Sequence, residues 1–270
     1  MKRHFKPIEK LTFTDDYMFS ALMKDPKICA GVIERVLGIK ADKIKYPTIQ
    51  KELKPYYETH GARFDIYVKD SKKVYDIEIQ ARLKNNLPKR ARYYQSLIDC
   101  NDLLRGKDYS KLRESYIIFI CKNDLFGKGF SRYSFKEICD EDRETELGDA
   151  THKIFVNAAA FESEKNLEFS AFLRYIKKRE ATTDFTKELE SRVRRTISDN
   201  LFREMYLGMN LHDRDLIVEQ KEKDQKIIRK LNKELKQNAE ELKRNAVEIA
   251  DKDAEIAKLK RKIARLQKLA

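Results

Sequence analysis

Residues 63–80 constrain this chain more than any other stretch. Arg63-Phe64-Asp65-Ile66-Tyr67-Val68 and Val74-Tyr75-Asp76-Ile77-Glu78-Ile79-Gln80 both read as alternating strands. Strand side chains point to opposite faces with period two. Asp76, Glu78 and Gln80 therefore share one face, and Tyr75, Ile77 and Ile79 take the other. The turn Asp70-Ser71-Lys72-Lys73 joins the strands into a hairpin and brings Asp65 opposite the Glu78 face. Two carboxylates converging on one sheet edge suit a hard divalent cation, because such ions prefer oxygen ligands.

The flanking sequence supplies helices and further strands. Thr14 is placed to cap a first helix, with Asp15 and Asp16 near the positive end of its dipole. Pro26 opens a second helix that Gly38 ends. Pro88 opens a third that runs to about Arg105 and closes at Gly106. Tyr116 to Cys121 is continuously apolar, as a strand covered on both faces requires. Phe130–Phe135 and Lys153–Val156 read as further strands. The pattern predicts an α/β core.

Bulk properties exclude several classes. Charged residues make up 38% and the mean hydropathy is −0.71, with no run long enough to cross a bilayer and no signal-peptide pattern after Met1. The expectation is a soluble, cytoplasmic protein with no membrane partner. Cys29, Cys100, Cys121 and Cys139 are scattered, and so are His4, His60, His152 and His212. That spacing points to free buried thiols and gives zinc no support. A net charge of +13 favours phosphate backbones through counterion release.

The carboxy-terminal third has a different character. Beyond about residue 181 it is helical and charged, with Gly208 and no proline. Ile228, Leu235, Leu242, Ile249, Ile256 and Ile263 repeat every seven residues. Leu231, Asn238, Asn245, Lys252, Leu259 and Leu266 follow three positions later. This is the a/d seam of a left-handed coiled coil with a polar middle, and it predicts a homodimer through residues 228–269. Lys258, Lys260, Arg261, Lys262, Arg265 and Lys268 make the end basic.

An Asp followed thirteen positions later by Glu-x-Gln (Asp65, Glu78-Ile79-Gln80) resembles the PD-(D/E)XK nuclease superfamily, and more closely its recombination-promoting nuclease and nuclease-family transposase branch. The opening Leu11-Thr12-Phe13-Thr14-Asp15-Asp16-Tyr17-Met18-Phe19 fits that branch. So do the basic run Lys89-Arg90-Ala91-Arg92-Tyr93-Tyr94 and Gly106-Lys107-Asp108-Tyr109 before the strand at Tyr116. The resemblance spans about residues 8 to 180. It implies a restriction-endonuclease-like mixed sheet flanked by helices over residues 1–180; the helical composition and the heptad beyond it predict a helical connector at 181–213 and the coiled coil at 214–270.

The resemblance also implies chemistry. Asp65 and Glu78 would hold Mg2+ or Mn2+, with the Ile79 carbonyl as a further ligand. Asp16 would complete the metal shell or stand as a first-turn helix charge. Asp76 shares the Glu78 face but does not match a ligand position of the motif, so it stands as a supporting residue. Gln80 occupies the position where the superfamily usually has Lys, so positive charge is expected from Lys89, Arg90 or Arg92. The implied activity is hydrolysis of DNA phosphodiesters by an endonuclease linked to recombination or mobile elements. The alternative is a weak or inactive nuclease-like protein that binds DNA and oligomerises through its coil.

Overall fold

The computed structural model describes residues 6–40, 47–53, 62–69, 72–103, 105–208, 225, 227–240, 242, 245, 249, 252, 256 and 258–260. The turn residues Asp70 and Ser71, with His4, His60 and His212, lie outside them. Two compact units are present, residues 1–206 and 207–270.

The first unit is a mixed α/β sandwich. Its described strands are β1 (Thr48–Leu53), β2 (Ala62–Lys69), β3 (Lys73–Gln80), β4 (Glu114–Cys121), β5 (Arg132–Phe135) and β6 (Thr151–Asn157). They form one six-stranded sheet in the order β1-β2-β3-β4-β6-β5. β1, β2 and β3 are antiparallel neighbours, β3, β4 and β6 run parallel, and β5 returns antiparallel to β6. The parallel centre explains the unbroken apolar run in β4: residues 115–121 are buried on both faces.

Helix α3 (Leu87–Asp102) covers one face. Leu87, Ala91, Tyr94, Leu97 and Ile98 pack with Val74, Ile117, Phe119 and Phe155. Asp76, Glu78 and Gln80 alternate in phase with Val74 and so lie under this helix. Ile77, Ile79, Ile118 and Ile120 occupy the opposite face and are equally buried.

Four more helices, α1 (Asp16–Met23), α2 (Pro26–Leu37), α4 (Leu167–Lys178) and α5 (Asp184–Ser198), pack together through aromatic rings. Phe13 meets Phe19, Phe172 and Tyr175, and Phe172 meets Phe185. A Cβ on Gly31 would strike the Phe185 ring, so glycine permits the close approach of α2 and α5. α2 begins at Pro26 behind an Asp25 cap and ends at Gly38 (φ 72°), as expected.

Three local expectations change. Asp15, not Thr14, precedes the first turn of α1, and its carboxylate turns back to Lys6 and the Thr12 amide instead of capping the helix. α3 stops at Asp102, because Leu103 is already extended; Gly106 (φ 82°) shapes the following turn. The cysteines are free, but Cys100 is exposed and Cys139 half-buried, since both lie away from the packed sheet faces; only Cys29 and Cys121 are buried.

The border expected at residue 180 falls inside the first unit. Leu189 and Val193 of α5 are buried, Arg192 pairs with Asp25 at 2.5 Å, and the Tyr17 ring packs at a tilt against Phe202 and Tyr206. These contacts carry the packing to Tyr206. In the second unit residues 227–240 are helical and exposed. No helix among the described residues is long and apolar enough to cross a membrane.

Candidate active site

Regular pairing of β2 with β3 runs from Lys69↔Val74 to Ile66↔Ile77. The next step would oppose Asp65 and Glu78. There the hydrogen bonds pass through the carboxylates. The Asp65 amide donates to Glu78 Oε1 at 2.9 Å, and the Ile79 amide donates to Asp65 Oδ2 at 3.3 Å. The two side chains singled out by their spacing thus interlock the strands where the ladder gives way.

Glu78 is fully buried, and its second oxygen receives the Arg90 guanidinium from the first turns of α3. Arg90 also lies over the Tyr94 and Phe119 rings, at 4.8 and 5.4 Å from their centroids. Lys89 and Arg92, named beside it from sequence, are exposed, and Arg90 is the cation that pairs with Glu78. The helical period decides this difference, since Arg90 falls on the face shared with Tyr94 and the sheet.

Asp76 carries the most unusual environment. It is 0% exposed, and neither carboxylate oxygen has a hydrogen-bond partner among the described residues. Burial, then the charges of Glu78 and Asp65, hold its carboxyl well above the usual carboxylate range. Asp76 is consequently the group of this cluster best suited to hold a proton. Burial and Asp65 push Glu78 up to about 8, against the opposing pull of Arg90 and the Asp65 amide. Burial, then Asp16, pushes Asp65 up to about 6. Asp16, at the first position of α1, is thus within electrostatic reach of Asp65.

Gln80 ends β3 at 8% exposure, and its backbone carbonyl accepts from the Lys122 amide at 3.2 Å. Ile79 enters the site through its amide.

The donor set fits a divalent cation in chemistry. It consists of carboxylate oxygens, which are hard ligands, and its mutual repulsion and the unpartnered Asp76 oxygens would be relieved by positive charge. It is not a preassembled cage: no group of three or more His, Cys, Asp or Glu able to hold a metal occurs among the described residues. Arg90 and the Ile79 amide already engage the oxygens that would be used.

Sequence reasoning left Asp76 as a supporting residue. Its signal was present, since it shares the Glu78 face two positions earlier, but the cover that α3 places over it is a long-range contact.

No curated protein and no solved structure matches the chain. A family model described as PD-(D/E)XK nuclease family transposase matches residues 13–226, which takes in the acidic start of α1, the interlocked carboxylates, Arg90 and all of α5. With most of its length matched, the chain belongs to the PD-(D/E)XK nuclease family transposases.

Proposed function

We propose that this protein is a divalent-metal-dependent DNA endonuclease, with Asp65 and Glu78 holding the ion and Mg2+ or Mn2+ as the cofactor. The observation that carries this reading is the interlocking of Asp65 and Glu78 under the Arg90 guanidinium, in a member of a nuclease family. The reaction adds water across one P–O bond of the backbone, leaving a phosphate on one fragment and a hydroxyl on the other. A hard cation bound to these carboxylates supplies Lewis acidity to the phosphoryl oxygen and lowers the pKa of water.

The chain's own residues do the rest. Asp65 and Glu78 present their oxygens from two hydrogen-bonded strands, so neither has to be ordered during the reaction. Asp16 adds a further negative charge beside Asp65. Asp76, held protonated, keeps one negative charge out of a crowded site. Arg90 supplies the positive charge that Gln80 lacks, and it is fixed by Glu78 and two aromatic rings. Gln80, at the rim of β3, offers an amide that both donates to and accepts from a water.

A plasmid-nicking assay with magnesium, manganese or chelator tests the reading. Cleavage that requires the metal and disappears in Asp65→Asn and Glu78→Gln supports it. Metal-independent cleavage, or full activity in both variants, would falsify it. Gln80 at the position of the usual Lys keeps a second reading: a DNA-binding protein of nuclease-like fold with little or no catalysis. DNA retained in chelator with no cleavage under any metal would select that one.

The second unit supports self-association. Ile228, Leu231, Leu235, Leu242, Ile249, Ile256 and Leu259 keep heptad spacing and are 48–69% exposed, an apolar stripe suited to a second copy of the same helix. Such a dimer would present two catalytic units to one duplex. Sedimentation at micromolar concentration should give a dimer, and a monomer there would remove this part of the proposal.

A further inference from the structure

A small basic concavity lies beside the candidate site and takes no part in the chemistry above. It measures about 110 Å³ and is lined by Thr12, Thr14, Lys122, Lys177, Lys178 and Arg179, with apolar side chains between them. Its position is set by the same elements that build the site. Lys122 immediately follows Cys121, the strand partner of Gln80, and Thr14 stands two residues before Asp16. The pocket therefore continues the edge at which β3 and β4 end.

The charge in this pocket is largely unspent. Lys177 donates to the Lys122 carbonyl at 3.4 Å and to Asn123 Oδ1 at 2.6 Å, both neutral acceptors that position the ammonium without cancelling it. Lys122 makes no ion pair among the described residues, and the Lys178 ammonium lies 4.7 Å from the Phe161 ring centroid with Glu162 at the outer limit of 4.0 Å. Arg179 is different: Glu190 grips it at 3.0 and 3.1 Å, so it serves as wall more than as ligand. No carboxylate among the described residues lines the cavity. The carboxy-terminal pole of α4 contributes a partial negative charge here, which two adjacent lysines more than offset.

We propose that this pocket binds a phosphate of the DNA strand next to the scissile one, with Lys122, Lys177 and Lys178 as its cations. Lysine ammoniums act on phosphate as point charges. Held there, the backbone is registered against the β3–β4 edge, whatever its base sequence. The inference rests on DNA being the substrate, but not on cleavage.

The test is a salt titration of binding to fluorescein-labelled duplex, read by anisotropy in chelator so that no strand is cut. Proteins compared are wild type, Lys122→Ala/Lys178→Ala, the single Lys122→Gln and Lys178→Gln variants, and Lys107→Ala/Lys111→Ala. The last pair is exposed and precedes β4, at the opposite end of that strand. Each pocket lysine removed should lower the slope of log K against log salt by about 1, and the affinity loss should be the same for unrelated sequences. The glutamine variants keep the side-chain volume, so they report on charge if the alanine pair folds poorly. Duplexes with and without a 5′-phosphate separate an internal phosphodiester from a terminal phosphate as the occupant.

An unchanged slope in the pocket variants overturns the proposal, as does an equal loss in the Lys107/Lys111 control. A wild-type protein with no DNA affinity removes this inference and the nuclease reading together. Cleavage by wild type alongside unchanged slopes removes this inference alone.

Discussion

Helix α3 covers buried acids at both ends, and the two ends are charged in opposite ways. At its carboxy-terminal end, Asp102 is 3% exposed and shared by Lys69 at 2.6 Å and by Arg113. At its amino-terminal end, Asp65, Asp76 and Glu78 make one ion pair among the described residues, Glu78 with Arg90. The first arrangement is what burial of a carboxylate ordinarily requires, with the charge matched where it sits. The second packs three acids together and leaves the Asp76 oxygens unpartnered among the described residues, a cost that folding alone does not explain. Burial is similar at the two ends; the balance of charge separates the structural acid from the candidate functional ones.

Substitutions at the two ends sharpen that contrast. The largest effect should be on catalysis: Asp65→Asn and Glu78→Gln lower metal-dependent cleavage by at least about 100-fold, while Asp102→Asn leaves the turnover of folded protein unchanged, as read from single-turnover plasmid nicking. A loss of equal size in Asp102→Asn would collapse the distinction.

Next in size is Arg90→Ala, which leaves Glu78 buried without its cation and should cost about 3 kcal/mol of stability at pH 8 in denaturant titration. The cost shrinks toward pH 5, where Glu78 takes up a proton instead. Asp102→Asn comes third, at about 1 kcal/mol, because the lysine and arginine it abandons can turn to water.

A further test is the pH dependence of the metal-free protein. Asp65 and Glu78 titrate near 6 and 8 in the fold, both above their ordinary values. The folded chain therefore holds protons that the unfolded chain has released, and stability falls as pH rises from about 4 to about 8. Glu78→Gln should flatten the upper part of that fall relative to wild type. Parallel curves for the two proteins would show that Glu78 is ionised throughout, with Arg90 compensating it completely.

The heart of the site was legible because it depends on period two and on one hairpin. Asp65, Glu78 and Gln80 belong to two strands joined by a short turn, and alternation alone put the last two on one face. What stayed hidden required distant elements. Arg90 could not be told from Lys89 and Arg92 without the angle at which α3 crosses the sheet. Asp76 looked like a supporting strand residue until α3 closed over it. Lys122 stands more than fifty residues before Lys177 and Lys178, and they meet only because β4 and α4 end at the same place.

The amino-acid sequence by itself determined β2 to β6, the proline and glycine limits of α2, the α/β class and the family, since these follow from local periodicity and from motif order; β1 was not read from it. The tertiary structure alone decided which cation meets Glu78, which acid is left without a partner, and where α5 belongs. Those outcomes depend on desolvation and on through-space charge, which arise only when segments far apart in the chain exclude water from one another.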